Sequence, residues 1–393
     1  MWYNNRNAAI VRLDRLIQRR KFGKGAISIL RIWYNHTMCG ENLTTKTVLQ
    51  DLPGPLLAWY RANARDLPWR RTTDPYQIWV SEIMLQQTRV AAVLGYYARF
   101  LETFPTVEAL AAAPEERLMK LWEGLGYYSR VRNLQKAARA CVEQYDGQLP
   151  GDFEELKRLP GVGEYTAGAI GSIAFGLPVT AVDGNVLRVM TRLTADSSDV
   201  TSPETKKRIT ALVQDLQPED RPGDFNQAMM DLGATVCLPN GVPKCGNCPL
   251  SALCESRRLG NMTEFPVRPP KKPRKKEDKT VLILFSENKT ALHKRGNTGV
   301  LKNLWEFPNA EGALTEKEAE IWCAEKGMKL LRTERLPSYQ HVFTHVEWKL
   351  SCYGVWVSGQ PEEFLWLDLE GLEQRAVPSA FRPCCEEARK RLQ

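Results

Sequence analysis

No run of apolar residues in this 393-residue chain approaches the roughly 20 residues that a helix needs to cross a bilayer. This lack argues against a membrane-spanning protein. With 43% hydrophobic and 25% charged residues, the composition is that of an ordinary globular protein. The length exceeds that of a typical single domain, so we expect two domains. A formal net charge of +8 weakly favours a polyanionic partner.

Acidic residues are scarce near the N-terminus, where Asp14 is nearly the only one before Glu41. Such a basic segment is typical either of a targeting peptide or of an extension upstream of a start at Met38. We favour an extension over residues 1–48, either disordered or loosely helical.

Regular spacing is also lacking among most of the ten cysteines. Six follow no pattern, and we expect them to be reduced thiols: Cys39, Cys141, Cys323, Cys352, Cys384 and Cys385. The other four lie in one short polar stretch, at Cys237, Cys245, Cys248 and Cys254. Four thiolates can hold zinc or an iron–sulfur cluster. Zinc ribbons generally have two separated Cys-x-x-Cys pairs and this stretch has one, so we favour a compact iron–sulfur cubane over zinc or free thiols.

Apolar residues recur at helical spacing over much of residues 49–263. The segment from Pro114 to Gly126 is one example, and the segment from Val131 to Tyr145 repeats the pattern. The sequence therefore predicts an all-α domain of several antiparallel helices.

A proline-interrupted basic segment follows at residues 264–279 and should be an exposed linker, with or without contact to DNA. Beyond it, Val281 to Phe285 predicts a buried strand, and the alternation around Leu350 predicts another. A capping box that begins at Thr315 predicts an intervening helix. Residues 280–393 are therefore predicted to form a separate α+β domain.

The segment from Leu159 to Gly163 places two glycines in a tight turn between helical segments. Such a turn can direct the backbone N–H groups of Gly161, Val162 and Gly163 at a phosphate. Asp183, in the later stretch AVDGN, can face the chemical group that is attached to this phosphate. This order resembles the helix-hairpin-helix DNA base-excision glycosylases, in which Asp183 would match the catalytic aspartate.

Residues 81–88, SEIMLQQT, resemble a helix of the adenine DNA glycosylase family. The resemblance implies that Glu82 protonates a flipped adenine that was mispaired with 8-oxoguanine or guanine. Cleavage needs a proton on the leaving base and stabilisation of a cationic sugar. We expect apolar neighbours to raise the pKa of Glu82, and Asp183, beside Asn185, to stay ionised and to stabilise or add to the sugar. An isolated Glu82 could instead be a helix-start acid stabilised by the macrodipole.

Tyr165 stands where related enzymes that also cut the DNA backbone carry a lysine, which forms a Schiff base with the sugar. Without an amine at this position, we expect a glycosylase with little or no lyase activity. We expect the Tyr165 hydroxyl to form a hydrogen bond near Asp183, with simple packing as the alternative.

Within the same resemblance, Gln87 and Tyr127 match residues that fill the space left by the flipped base. Tyr127 would be the wedge, although an aromatic residue at a helix end is usually part of a core. The loop of Phe343, Thr344 and His345 resembles the one that reads 8-oxoguanine, with a strand-edge loop as the alternative. The four clustered cysteines resemble the family's [4Fe–4S] loop, with one extra residue in the first gap.

The segment from Gly299 to Pro308 resembles the start of a Nudix fold. The helix after Thr315 lacks the metal ligands of Nudix hydrolases, so we expect recognition rather than hydrolysis. The resemblances together imply a two-domain monomer, with an all-α helix-hairpin-helix glycosylase domain that carries the iron–sulfur loop and an α+β Nudix-like domain. Its partner would be double-stranded DNA, in the bacterial cytoplasm at the nucleoid if the source is prokaryotic.

Two alternatives stay open at this point. The first is an endonuclease III-like pyrimidine glycosylase with lyase activity, against which Tyr165 and the extra domain argue. The second is a non-enzymatic iron–sulfur DNA-binding protein, in which Glu82 and Asp183 would be incidental.

Overall fold

The computed structural model describes residues 49–270 and 272–392. The predicted N-terminal extension, residues 1–48, lies outside this range. The described residues form two compact units, each assembled from separate segments. Within them, the first unit contains residues 49–64, 183–218 and 227–267, and the second contains residues 65–182, 219–226 and 268–392.

Helices dominate the described chain up to residue 260, which confirms the predicted all-α region. In chain order, the α-helices of the described residues are α1 (Pro53–Asn63), α2 (Pro75–Leu85), α3 (Val90–Thr103), α4 (Val107–Ala112), α5 (Glu115–Leu121), α6 (Ser129–Gln144), α7 (Phe153–Arg158), α8 (Glu164–Ala174), α9 (Gly184–Thr194), α10 (Pro203–Leu216), α11 (Pro222–Thr235), α12 (Glu255–Leu259), α13 (Glu316–Glu325), α14 (Leu369–Gln374) and α15 (Arg382–Leu392). The predicted capping box at Thr315 begins α13, and both of its hydrogen bonds form. None of these helices has the length and apolar character that crossing a bilayer requires.

One helix is shorter than its apolar pattern predicted. The pattern from Pro114 to Gly126 predicted a helix over the whole segment, but α5 ends at Leu121. Gly124 and Gly126 have φ angles of 98° and 69°, which glycine adopts readily and other residues do not. A Cβ atom on Gly124 would also collide with the hydroxyl of Tyr96. The chain therefore turns out of the helix before α6.

The helices of the second unit share their core with the C-terminal part of the chain. Trp122 is fully buried there, and Leu304 and Ala376 from the C-terminal part belong to the same hydrophobic cluster. This shared burial groups residues 65–182 with the C-terminal part. The compact units divide the chain differently from the predicted domains, 49–263 and 280–393, whose boundaries stay a prediction.

The C-terminal part contains one mixed sheet, which confirms the predicted α+β class. Its strands are β1 (Lys275–Ser286), β2 (Lys289–Lys294), β3 (Trp305–Glu306), β4 (Asn309–Glu311), β5 (Lys329–Val342), β6 (Val346–Ser358) and β7 (Leu365–Leu367). Their order is β3-β2-β1-β6-β5, with β4 on β1 and β7 on β2. The β1–β6 pair is parallel and the other pairs are antiparallel.

Both faces of β1 are buried, which explains its continuous apolar run. Val281, Ile283 and Phe285 contribute to a core that includes residues of α14 and α15. Leu282 and Leu284 contribute to a second core that includes residues of α13. The predicted buried strand is therefore confirmed, with helices covering both faces.

The basic segment before the sheet is not an exposed linker over its whole predicted length. Strand β1 begins at Lys275, so the last five residues of the segment pair with β6. Glu277 accepts a hydrogen bond from Trp348 Nε1 at 2.9 Å. Lys279 is 4% exposed and forms an ion pair with Glu311. These partners come from distant strands, which is why the local composition did not reveal them.

Candidate active site

Glu82 lies on α2, a helix whose N-terminus is capped by Asp74. The Asp74 carboxylate accepts hydrogen bonds from the backbone N–H groups of Tyr76 and Gln77, at 2.8 and 3.4 Å. Glu82 lies near the opposite end of α2, so the alternative of a helix-start acid stabilised by the macrodipole is wrong. The residue is 6% exposed, which makes it a buried carboxyl.

This buried carboxyl has a hydroxyl partner. Tyr165, in the first turn of α8, donates its O–H to Glu82 Oε2 at 2.9 Å. Packing alone therefore does not account for Tyr165. Our prediction named Asp183 as its neighbour and missed Glu82, because one sequence does not show that α8 packs against α2.

The turn from Leu159 to Gly163 joins α7 to α8, as the helix-hairpin-helix pattern predicted. Gly161 has a φ angle of 81°, and a Cβ atom there would lie 2.7 Å from the Cβ of Asn133, so this position requires glycine. The Val162 side chain is buried in the helical core, whereas Gly161 and Gly163 are exposed. The Val162 N–H, which we predicted to face a phosphate, donates instead to the Leu159 carbonyl at 3.1 Å. The turn therefore offers backbone groups of Gly161 and Gly163 to a ligand.

Asp183 is the N-cap of α9 and is half-buried. Its Oδ1 accepts hydrogen bonds from the backbone N–H groups of Asn185 and Val186, at 2.9 and 2.8 Å. Its Oδ2 accepts a hydrogen bond from Asn185 Nδ2 at 2.6 Å. Helix capping explains the two bonds to Oδ1. The third bond adds a side-chain contact that fixes the orientation of the carboxylate.

We predicted no role for two arginines of α9 that the structure shows to be buried. Arg188 donates one hydrogen bond to Asn185 Oδ1 at 3.0 Å and another, from Nε, to the Cys237 carbonyl at 2.9 Å. Arg192, one turn later, donates from Nη1 to Cys237 Sγ at 3.3 Å. Helix α9 thus connects the turn at Asp183 to the first of the four clustered cysteines. The sequence pattern that could have indicated their burial is the spacing of the two arginines, which lie four residues apart on an apolar helix face.

The four clustered cysteines line one cavity. Apolar side chains, among them Val189, Leu232 and Leu250, form much of the remaining wall. Burial raises the pKa of the Cys248 thiol to about 11, and the other three cysteines add to this effect. Within the described part of the chain, no group of three or more His, Cys, Asp or Glu side chains is arranged around a single metal position.

A larger, solvent-open cavity in the second unit brings together residues that are far apart in sequence. Its lining includes all five residues predicted for the wedge and for reading the opposite base: Gln87, Tyr127, Phe343, Thr344 and His345. Tyr127 is 48% exposed, so the alternative of a core aromatic is wrong. Its hydroxyl lies 3.0 Å from Thr344 Oγ1, which is a hydrogen-bonding distance.

Gln87 and Tyr127 share an uncommon backbone conformation. Their φ angles are 57° and 46°, in the left-handed region. This region costs a residue with a side chain on the order of 1–2 kcal/mol, and such residues cluster at functional sites. Gln87 follows the end of α2 and Tyr127 precedes α6, so both side chains belong to turns at helix ends.

The residues Phe343, Thr344 and His345 form the tip between β5 and β6. The Phe343 ring packs edge-on against Trp348, with 4.7 Å between the ring centroids. Thr344 and His345 are exposed. The alternative interpretation, a strand-edge loop without a recognition role, also predicts a hairpin tip here. The argument for a site here therefore depends on the cavity that the tip shares with Tyr127.

Two family models match the chain. The model described as HhH-GPD superfamily base excision DNA repair protein matches residues 80–215. A NUDIX domain model matches residues 280–387. The two matches together cover more than half of the chain, and they fall on the helical part and on the sheet-containing part.

Curated relatives match over most of the chain. It is similar to the adenine DNA glycosylase of Homo sapiens, with 36% identity over 84% of this chain and 72% of the relative. It is also similar to the adenine DNA glycosylase of Buchnera aphidicola subsp. Acyrthosiphon pisum (strain APS), with 31% identity over 88% of this chain and 99% of the relative. A solved thermostable thymine-DNA glycosylase matches with a TM-score of 0.49 and 30% identity, covering 56% of this chain and 99% of that one.

Proposed function

Because the chain belongs to the adenine DNA glycosylase family, we propose that it removes adenine mispaired with 8-oxoguanine or guanine from double-stranded DNA. The reaction is hydrolysis of the N-glycosidic bond after the adenine has left the base stack. The observation that carries this proposal is the buried Glu82 carboxyl, held by the Tyr165 hydroxyl within the helical part that the family model matches.

Glu82 is the general acid of this mechanism. Adenine leaves slowly as an anion, so a proton must reach its N7 as the bond breaks. The burial of Glu82 keeps bulk water away from the carboxyl, and the bond from Tyr165 at 2.9 Å restricts its orientation. Once adenine has left, the resulting carboxylate can accept a proton from the attacking water.

Asp183 stabilises the positive charge that develops on the sugar, either electrostatically or by adding to it covalently. The carboxylate is held by three hydrogen bonds before any charge develops. A fixed carboxylate needs little reorganisation in the transition state, which is the main source of electrostatic catalysis. Asn185 supports this role as a positioning residue, because its backbone and its side chain both bond to Asp183.

Tyr165 leaves the site without an amine at the position where an imine with the sugar would form. We therefore propose a glycosylase with little or no lyase activity. Borohydride trapping on a duplex with an abasic site tests this point and the endonuclease III-like alternative together. Efficient covalent trapping would contradict the assignment and favour the alternative.

Tyr127 enters the duplex as a wedge, Gln87 occupies space that the flipped adenine vacates, and the tip of Phe343, Thr344 and His345 reads the opposite base. The shared cavity and the 3.0 Å distance between the Tyr127 and Thr344 oxygens support this assignment. Thr344 retains a hydroxyl, which can form a hydrogen bond with 8-oxoguanine. The exposed hairpin turn holds a DNA phosphate through the backbone of Gly161 and Gly163.

Cys237, Cys245, Cys248 and Cys254 hold one [4Fe–4S] cluster. Four cysteines around one cavity with apolar walls are the donor set that such a cluster requires. When bound, the cluster supplies a rigid core for the loop between α11 and α12. Iron analysis of purified protein tests this directly: about four irons per chain are expected, and an iron-free protein that binds zinc would contradict it.

Single-turnover excision from duplexes with adenine opposite each possible base tests the function as a whole. We expect adenine release opposite 8-oxoguanine and guanine, because the enzyme must spare adenine in its normal pair with thymine. No release from any duplex would support the non-enzymatic alternative. Equal release opposite thymine would contradict the reading of the opposite base.

A further inference from the structure

Arg130, the second residue of α6, is buried although it carries a charge. It is 9% exposed, and none of the described carboxylates pairs with it. Burial lowers the pKa of its guanidinium to about 10, so the group remains charged at neutral pH. Removing a charge from water is costly unless other dipoles replace its hydration. The groups that replace this hydration, which are the hydrogen-bond partners of Arg130, therefore indicate the role of the buried guanidinium.

The two terminal nitrogens of this guanidinium bond to two different elements. Nη1, with its two N–H groups, lies within hydrogen-bonding distance of three carbonyls at the end of α2, those of Ile83, Met84 and Gln86, at 2.8, 2.9 and 2.7 Å. Nη2 donates to two carbonyls in the turn before α6, those of Leu125 and Gly126, at 3.0 and 3.1 Å. The carbonyls at the end of α2 have no intrahelical partners and carry the negative end of its dipole, so a cation suits them.

The same guanidinium also contacts the side chain that we assign as the wedge. Its central carbon lies 5.7 Å from the centroid of the Tyr127 ring and 5.3 Å from that of Trp122. The start of α6 is the positive end of that helix, so Arg130 gains nothing from the dipole of its own helix. Its contacts instead join the helix of Glu82 to the turn of Tyr127.

Resting on the proposed function, we infer that Arg130 is a positioning residue that couples insertion of the Tyr127 wedge to placement of the Glu82 carboxyl. The planar fork of an arginine can bond to both elements at once. The single ammonium group of a lysine has the same charge but cannot span both sets of carbonyls. The coupling makes protonation of adenine efficient only when the wedge is seated in the duplex.

A double-mutant cycle tests this coupling through single-turnover excision of adenine opposite 8-oxoguanine. Arg130→Lys should lower the rate roughly 10- to 100-fold, because a small misplacement of a catalytic group has effects of this size. Tyr127→Ala should also lower it. If Arg130 acts through the wedge, the double variant should be about as slow as the slower single variant. Rate losses that multiply in the double variant would overturn the inference, since a merely structural role predicts independent effects.

Arg139→Lys is the matched control, because Arg139 is an exposed arginine of the same helix that donates to one carbonyl, that of Ala111 at 3.0 Å. When Arg139→Lys is combined with Tyr127→Ala, the fold losses in excision rate of the two single variants should multiply. If Arg130→Lys does not fold, hydrogen exchange decides: Tyr127→Ala should speed amide exchange at residues 83–88, and unchanged exchange there would overturn the inference. Adenine release by the unaltered protein tests the proposed function separately, so the two failures are distinguishable.

Discussion

Glu82 and Asp183 are both carboxyls, but their surroundings suit different tasks. Glu82 is 6% exposed and accepts a hydrogen bond from a tyrosine hydroxyl. Asp183 is half-buried at a helix N-terminus and accepts three hydrogen bonds. The sequence motifs predicted both residues. Their partners depend on which helices pack together, which explains why the bond from Tyr165 to Glu82 was not predicted.

Tyr165→Phe removes the hydroxyl partner of Glu82 and keeps the ring. Loss of one hydrogen bond to a carboxyl is worth about 1–3 kcal/mol, so we expect single-turnover excision to slow by roughly 5- to 160-fold. Tyr97→Phe is the control, because no described group bonds to the buried Tyr97 hydroxyl. An unchanged rate for Tyr165→Phe, with melting temperatures like those of the control, would show that the tyrosine only packs.

At the scale of elements, apolar spacing predicted the helices more reliably than their ends. Trp122 and Leu125 continue the spacing of α5, so the pattern could not show that the helix ends at Leu121. The positive φ angles of Gly124 and Gly126 form the turn instead. That turn carries Tyr127 and accepts the bonds of Arg130, so the missed boundary is part of the site. The two-glycine hairpin was easier to predict because its spacing is distinctive.

Gly161→Ala should destabilise the hairpin between α7 and α8. A left-handed φ angle costs alanine about 1–2 kcal/mol, and the Cβ atom would in addition press on Asn133 at 2.7 Å. Urea unfolding measures the loss of unfolding free energy. Gly163→Ala, in the same turn, is the control for stability, because its φ angle is −97° and no atom lies within 4 Å of the added Cβ. Equal stability of the two variants would contradict this account of the turn.

At the scale of the whole molecule, the sequence predicted the two folds but not how residues from them meet. Tyr127 and Thr344 are 217 positions apart, and their oxygens lie 3.0 Å from each other. Leu304 and Ala376 join the core of the helices of the second unit. Contacts of this kind depend on tertiary packing, for which a single sequence has no periodic signal. Strand β1 extends into the predicted linker for the same reason.

Thr344→Val tests whether the hairpin tip reads the opposite base. The variant keeps the shape of the side chain and loses the hydroxyl, so excision opposite 8-oxoguanine should slow by about tenfold or less. Excision opposite guanine should change less if the hydroxyl bonds to the oxidised base. Thr344→Ser retains the hydroxyl and should resemble the unaltered protein. Equal losses opposite both bases would contradict a role in reading the lesion.

The central claim is that this protein excises adenine by means of two carboxyls with separate roles. The most direct test is single-turnover adenine release opposite 8-oxoguanine by the unaltered protein, Glu82→Gln and Asp183→Asn. Asparagine can still cap α9, so the second variant should fold. We predict release by the unaltered protein and rates lowered at least roughly 100-fold in each variant. Adenine release at the normal rate by both variants would contradict the account.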